Sequence, residues 1–177
     1  MLKRILTFGL AAGLLAGVPL FALVVAYKGP PPKHGMLIGY TIMLVALSLV
    51  FVAIKRRRDD ELGGVIRFWP AFGLGLAISL VAGLVYAAAW EVTLAVSKLD
   101  FGTEWVKMYM AQSKAKGLPE AELAKLAAEM DHFKAMYANP LYRFVMTLCE
   151  ILPVGLLVSL ISAALLRNPR FMAARRS

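Results

Sequence analysis

PAFGLGLAISLVAGLVYAAAWE, residues Pro70–Glu91, is the stretch that decides the fold of this 177-residue chain. It is an apolar run long enough to cross a bilayer as a helix, which needs about 20 residues. Small residues recur at every fourth position and so share one helical face. They are Gly75, Ser79, Gly83 and Ala87. Glu91 is the next member of the series, so this face predicts a closely approaching helix and a carboxylate turned toward protein.

The composition of the whole chain is that of a membrane protein. Hydrophobic residues make up 60% of it and the mean hydropathy is +0.69, far above ordinary soluble domains. Most of the unbalanced charge behind the net +9 lies in short segments beside apolar runs. This pattern is typical of topology signals and of contacts with anionic lipid head groups, not of nucleic-acid binding. The single cysteine, Cys149, excludes an intrachain disulfide.

Four apolar runs reach the length of a spanning helix. They are Ile5–Tyr27, Gly35–Ile54, Phe68–Trp90 and Phe144–Leu166. The first is longer than a signal-peptide core and no clean cleavage site follows it, so we interpret it as a retained span. Three consecutive prolines between the first two runs predict a stiff turn. The expected fold is all-α, a single-domain integral membrane four-helix bundle.

Small residues at four-residue spacing also mark the first and fourth runs. Gly9, Gly13 and Gly17 form a doubled G-x-x-x-G in the first run, and Gly155 and Ser159 lie in the fourth. Such series are typical of close helix packing. We expect these positions to be helix contacts inside the bundle, and a homo-oligomer contact is the alternative for the three glycines.

The basic residues predict the orientation of the bundle. Eleven of the 20 Lys and Arg lie in the two terminal segments and in the connection between the second and third runs, all on one side. Seven of the others are diluted among six acids in Ser97–Arg143. Short basic segments beside spans stay in the cytoplasm, so both termini are predicted to be cytoplasmic. The run Arg56, Arg57 and Arg58 is either such a signal, paired with neighbouring acids, or a site for a lipid head group or partner.

Ser97–Arg143 is the only substantial polar segment. Gly117 and Pro119 divide it, Gly as a helix stop and Pro as a first-turn residue. Apolar side chains on both sides of this break follow a helical spacing, which predicts two amphipathic helices. They are Phe101, Trp105, Met108, Leu123, Leu126, Met130, Phe133 and Tyr137. We expect a helical hairpin on the outer side, between spans 3 and 4, suited to a periplasmic or membrane protein partner.

Two intramembrane carboxylates are the candidate binding residues. Glu91 and Glu150 both lie toward the outer side, about 31 and 24 Å from the inner ends of their helices at 1.5 Å per residue. Two such acids in a partly dry site share a proton or a cation. The alternative is that Glu91 lies in the membrane interface and Glu150 bonds a polar group of a neighbouring span.

Catalytic motifs are missing from the chain. It has no H-E-x-x-H, no P-loop and no G-x-S-x-G sequence. Glu129 and His132 match half of a di-iron pattern that needs two such pairs and two further Glu. We therefore expect no metal, no cofactor and no enzymatic activity.

A family resemblance rests on four segments, GYTIMLVALSLVFVAIKRRRDDELGG, FWPAFGLGL, YAAAWEV and NPLYRFVMTLCEILPVGLLVSLISA. Together they resemble a bacterial membrane protein family catalogued as domain of unknown function 4199. The resemblance covers nearly the whole chain, and its most specific part is E-x-x-P-x-G-L-x-x-S-L-x-S-A, which begins at Glu150. It implies four spans and the inner membrane of Gram-negative bacteria. It implies no substrate, cofactor or catalytic residue.

Two functional hypotheses follow from these observations. The first is a non-enzymatic inner-membrane protein that acts through helix packing and contacts with a partner or with lipids. The second is a small oligomeric transporter or channel, in which Glu91 and Glu150 form a proton- or cation-linked carboxylate pair. The position of these two carboxylates relative to each other discriminates between the hypotheses.

Overall fold

The computed structural model describes residues 1–26 and 34–173, which are helical and contain no strand. Six α-helices and one π-helical turn form this part of the chain. They are α1 (Leu2–Ala26), α2 (Gly35–Arg56), the π turn (Arg57–Glu61), α3 (Phe68–Ser97), α4 (Phe101–Ala115), α5 (Glu120–Tyr137) and α6 (Pro140–Leu166). The predicted stiff turn and the predicted end of the first span, residue 27, lie outside the described residues.

Four of these helices are long and apolar enough to cross a membrane: α1, α2 with its π turn, α3 and α6. The predicted all-α class and the four apolar segments are thus confirmed. The boundary of α3 differs from the prediction, because this helix continues past Trp90 to Ser97. It ends where Lys98 adopts a left-handed backbone, with φ at 54°, and its N–H bonds the carbonyl of Leu94. Glu91 therefore lies inside α3.

The central helix of the group is α3. It packs most extensively against α1 and α6, and less so against α2, which itself contacts α1 and α6. Most of the buried side chains in the interior are aliphatic or small. Examples are Ala46, Leu47, Leu74, Ile78 and Ala82. Every other long helix contacts α3, so the small residues of α3 decide how closely the group can pack.

The small residues of α3 and α6 face each other. A Cβ atom added at Gly75 would lie 2.8 Å from the Cβ of Ser159, and one added at Gly155 would lie 2.6 Å from the Cβ of Ser79. The Ser79 and Ser159 hydroxyl oxygens are 3.3 Å apart. The two stripes are thus reciprocal, with glycine opposite serine in both directions.

The same face of α3 continues toward Glu91 with two more small residues. Gly83 leaves room for the side chains of Leu148 and Ile151 of α6, since a Cβ there would lie 2.8 Å from Leu148 Cδ1. Ala87, one turn further, is fully buried. Close approach of α3 and α6 therefore extends over several turns.

The three glycines of α1 lie against the other side of α3. A Cβ atom added at any of them would lie between 2.5 and 2.7 Å from a side-chain carbon of α3. The pairs are Gly9 with Val81, Gly13 with Val85 and Gly17 with Ala89. Packing within one chain occupies this glycine face, which favours the bundle contact over the contact between two copies.

The two shorter helices, α4 and α5, pack on each other in antiparallel order. The rings of Phe101 and Tyr137 lie 5.9 Å apart and those of Trp105 and Phe133 lie 5.1 Å apart. Gly117, with φ at 78°, lets the chain reverse between the two helices without steric strain. The aromatic members of the two predicted stripes therefore contact each other.

Candidate functional site

Charged side chains cluster at both ends of the long helices. The Arg58 end comprises the start of α1, the π turn after α2 and the chain after α6. The Glu91 end comprises the last turns of α3, the start of α4, the end of α5 and the start of α6. An arginine at each end bonds groups that are far apart in the sequence.

At the Glu91 end, Glu91 and Arg143 form a forked ion pair. Arg143 Nε donates to Glu91 Oε1 at 2.8 Å, and its Nη2 donates to Oε2. Its Nη1 donates to the carbonyl of Tyr137 at 3.2 Å, and its guanidinium lies 5.7 Å from the centre of the Tyr137 ring. The side chains of Arg143 and Glu91 are only 16% and 25% exposed. The two parallel bonds fix the orientation of both groups and join α3, α5 and α6.

An aromatic cluster supports this ion pair. Trp90 donates its indole N–H to the hydroxyl of Tyr137 at 2.9 Å, and its ring meets Phe101 edge-on at 5.1 Å. Burial raises the pKa of the Tyr137 hydroxyl above its ordinary value, so the group stays neutral and can accept this bond. The cluster thereby links α3 to the first residue of α4 and the last residue of α5.

An open cleft of about 460 Å³ lies beside the ion pair. Charged side chains from each of the surrounding elements line it. They are Glu91, Lys98, Asp100, Lys134 and Arg143. Three cations and two acids give the cleft one net positive charge, and its volume falls within the range of small-molecule sites, about 300 to 1,000 Å³.

The two predicted carboxylates do not pair with each other. Arg143 binds both oxygens of Glu91. Glu150 lies two turns further along α6, exposed, with no ion pair or hydrogen bond to any residue in the described ranges. Of the two interpretations of these acids, the first gave Glu91 a second acid as its neighbour, and in the structure Arg143 has that place and neutralises the charge of Glu91. The bond to a neighbouring span that the second gave to Glu150 does not occur among the described residues. The sequence signal for Arg143 was its position as a lone cation just before the fourth run, at the same predicted membrane edge as Glu91.

At the Arg58 end, Arg58 is fully buried. Its Nη1 and Nη2 donate to the carbonyls of Phe171 and Met172 at 2.8 and 2.7 Å, and its Nε donates to Asp59 at 2.6 Å. Lys55 also donates to Asp59. A buried guanidinium needs such partners, because an unpaired charge in the interior is very costly. Of the two interpretations of the arginine run, pairing with a neighbouring acid therefore describes Arg58, whose donors are engaged inside the protein, and the head-group interpretation does not.

The other two arginines of the run differ from Arg58. Arg56 is exposed, with its guanidinium 6.0 Å from the centre of the Phe8 ring. Arg57 pairs with Glu61, which also binds Arg4 at the start of α1. For Arg56 and Arg57 a contact with a lipid head group stays a prediction.

The remaining candidates of the sequence are dispersed. Glu129 and His132 are exposed on α5, and Cys149 is an exposed free thiol. In the described part of the chain, no three His, Cys, Asp or Glu side chains are grouped so that they could hold a metal ion. The expected lack of a metal or cofactor stays a prediction.

Within residues 1–26 and 34–173 the protein is all-helical, and four of its helices have the length and apolarity of a membrane span. Residues 7–168 match the family model described as Protein of unknown function (DUF4199), and the chain belongs to this family. No curated protein and no solved structure matches it. The family description names no activity, so the function has to be argued from the geometry.

Proposed function

We propose that the protein is a non-enzymatic four-span protein of the bacterial inner membrane, acting through helix packing and contacts with lipids and a protein partner. The observation that carries this proposal is the apolar outer surface of the long helices. Leu10, Leu44 and Leu157, on three different helices, are 48%, 54% and 57% exposed and have many exposed aliphatic neighbours. Proteins in water rarely expose contiguous apolar surface on this scale, whereas bilayer hydrocarbon is a suitable solvent for it.

In this proposal the Arg58 end faces the cytoplasm and the Glu91 end faces the periplasm. The short basic segments at the Arg58 end support this orientation. Single cysteines introduced into a Cys149→Ser background test it. A membrane-impermeant maleimide added to intact spheroplasts is expected to label Lys116→Cys, between α4 and α5, and not Val65→Cys, between the π turn and α3. The opposite labelling pattern would overturn the orientation.

The proposed partner surface is the exposed side of α4 and α5. Tyr109 is 38% exposed and stacks on Trp105, with ring centroids 5.2 Å apart. An exposed aromatic ring held by a second ring is typical of the residues that dominate protein interfaces. Tyr109→Ala is expected to weaken binding of a periplasmic or membrane protein partner, with Lys125→Ala on α5 as the control. Equal binding by both variants and the native protein would show that Tyr109 does not belong to the interface.

In this proposal the function depends on helix packing and not on a carboxylate that binds and releases protons. Gly83→Leu is expected to abolish the function, because a whole leucine side chain there has to enter space that Leu148 and Ile151 of α6 already fill. Glu150→Gln should leave both the fold and the partner contact intact. Loss of function in Glu150→Gln together with an unchanged fold would contradict a purely structural role.

A second candidate is a small oligomeric transporter or channel, and the exposed, unpaired Glu150 favours it. An ionisable residue within an apolar helix marks an ion or proton path more often than a structural position. The test is proton and cation flux in proteoliposomes containing the native protein, Glu150→Gln or Cys149→Ser. Flux that disappears only in Glu150→Gln would support this candidate, and the absence of flux in the native protein would exclude it.

A further inference from the structure

At the Arg58 end, two arginines share one carboxylate. Arg4 Nη2 lies 2.8 Å from Glu61 Oε1, and Arg57 Nε lies 3.9 Å from Glu61 Oε2. Arg4 belongs to the first turn of α1, whereas Arg57 and Glu61 begin and end the π turn. The group, which we name the Arg4–Arg57 cluster, joins two elements that are more than 50 residues apart in the sequence.

The Arg4–Arg57 cluster contains hydrogen-bond donors that have no acceptor. The Nη1 atoms of both arginines are buried, and neither has a hydrogen-bond partner in residues 1–26 or 34–173. Each arginine side chain is only 19% exposed, whereas that of Glu61 is 52% exposed. A buried N–H group without an acceptor is unfavourable, and a charged one especially so. The cluster lacks an acceptor rather than a donor.

The net charge of the cluster agrees with the lack of an acceptor. Two guanidinium groups and one carboxylate leave one net positive charge. The neighbouring group at the same end is complete by contrast, since Arg58 donates to Asp59 and to two carbonyls, and Lys55 also donates to Asp59. The group of Arg58, Lys55 and Asp59 has the same net charge of one, but the buried donors without a partner are those of Arg4 and Arg57.

We propose that Arg4 and Arg57 bind a phosphate group, and that their partly exposed guanidinium groups turn on binding so that the unused Nη1 atoms donate to its oxygens. Phosphate offers several anionic acceptor oxygens, and the planar fork of arginine matches their spacing better than lysine does. The group can come from the head group of an anionic lipid or from a free phosphate compound.

The position of the cluster favours a lipid head group as the source. Arg4 lies in the first turn of α1, so it stands at the level of the head groups if the long helices span the membrane. This choice of source rests on the proposed function, whereas binding of phosphate as such does not. The π turn that carries Arg57 and Glu61 is a rare element, and such turns occur often at functional sites.

The experiment measures binding to the purified full chain in a neutral detergent. The probes are inorganic phosphate, short-chain phosphatidylglycerol and short-chain phosphatidylcholine, each titrated calorimetrically. We expect phosphatidylglycerol to bind and phosphatidylcholine to bind much more weakly. Arg4→Gln and Arg57→Gln should each weaken phosphatidylglycerol binding about tenfold, which corresponds to the loss of one charge-assisted contact. Arg167→Gln, which removes an exposed arginine just after α6, is the matched control and should change nothing.

Glu61→Gln separates this proposal from a purely structural cluster. Removing the carboxylate raises the net charge of the cluster from one to two and frees more donors, so phosphatidylglycerol should bind more tightly. Should an arginine-to-glutamine variant fail to fold, Arg4→Lys and Arg57→Lys replace it. These keep the charge, lose the fork, and are expected to reduce the affinity by a smaller factor.

Three outcomes decide the source and the site. Binding of phosphatidylglycerol that depends on Arg4 and Arg57 supports a lipid head group, and binding of inorganic phosphate alone with the same dependence supports a free phosphate compound. Equal affinities for the native protein, Arg4→Gln and Arg57→Gln would overturn the site. Reversed or absent cysteine labelling would contradict the proposed membrane arrangement while leaving phosphate binding in detergent intact, so the two failures can be told apart.

Discussion

The Arg58 end and the Glu91 end each contain a mostly buried arginine, but the two arginines have different kinds of partner. Arg58 donates to two backbone carbonyls and one carboxylate, and no part of it is exposed. Arg143 gives two of its bonds to the carboxylate of Glu91 and only one to a carbonyl, and it keeps 16% of its side-chain surface exposed.

This difference separates two ways of joining helices. Backbone carbonyls cannot change their protonation or move without moving the chain, so the Arg58 end holds the segment after α6 in one place. A carboxylate side chain has rotatable bonds of its own, so the ion pair at the Glu91 end constrains the backbone less directly. The cleft of about 460 Å³ lies at this second end.

The largest effect is expected for Arg58→Met. The substitution removes a fully buried guanidinium, leaves two partly buried carbonyls without their donor and leaves Asp59 with Lys55 alone, so it should lower the free energy of unfolding by about 3 to 5 kcal/mol. Unfolding by SDS in mixed micelles measures this change. Arg56→Met, at an exposed neighbouring arginine, is the control and should stay within about 0.5 kcal/mol of the native protein. Equal effects of the two substitutions would mean that the buried bonds of Arg58 add no stability.

Arg143→Met should have a smaller effect, about 2 to 3 kcal/mol, because partial exposure lets water reach the Glu91 carboxylate that loses its partner. A double-mutant cycle with Glu91→Gln measures the pair itself. The cycle should show a favourable coupling energy, and addition of the two single effects without coupling would mean that the forked ion pair contributes nothing.

The third prediction concerns Gly13, which tests the packing of α1 on α3 between the Arg58 end and the Glu91 end. Gly13→Ala places a Cβ 2.8 Å from the carbonyl oxygen of Ala82, and a backbone atom cannot easily move, so we expect a loss of about 1 to 3 kcal/mol. Gly73→Ala is the matched control, because no atom lies within 4 Å of its added Cβ. This control should be neutral or slightly stabilising, since Ala favours the helix. The same micelle unfolding assay compares both.

The smallest effect concerns Asp100, which caps α4 beside the cleft. The Thr103 hydroxyl and backbone N–H both donate to its carboxylate and hold the pKa of Asp100 below its ordinary value of 3.8. The charged form is therefore favoured by folding, so its stabilisation is present above about pH 4 and disappears as the pH falls through the lowered pKa.

Asp100→Asn keeps a capping oxygen without the charge. At neutral pH it should reduce the protection of α4 amides from hydrogen exchange by less than about 1 kcal/mol. The difference from the native protein should vanish in acid. A difference that persists unchanged to low pH would assign the effect to something other than the carboxylate charge.

The sequence was sufficient to predict the four long helices and much less so their charged contacts. An apolar run of spanning length is a local property, so its existence follows from composition alone. The end of α3 was harder to predict, because a lysine in the left-handed conformation and not a glycine or proline terminates it.

The contacts of the charged residues depend on which helix ends become neighbours. The spacing of Gly75 and Ser79 predicted a contact face, but it did not indicate that Ser159 and Gly155 of α6 would occupy it. Arg143 was counted with the polar segment, yet it belongs to α6 and reaches back to Glu91. Arg58 resembled a surface cation because its acceptors, two carbonyls near residue 172, carry no signal in the sequence.

The bonds from Arg58 to residues 171 and 172 also bear on biosynthesis. The ribosome synthesises α1, the π turn and α3 before residues 171 and 172. The Arg58 guanidinium can therefore form its two bonds to these carbonyls only after the last long helix has been synthesised. A nascent chain that stops earlier has Asp59 as an acceptor for Arg58 but lacks the other two, so the contacts of this buried cation are completed only by the segment after the last long helix.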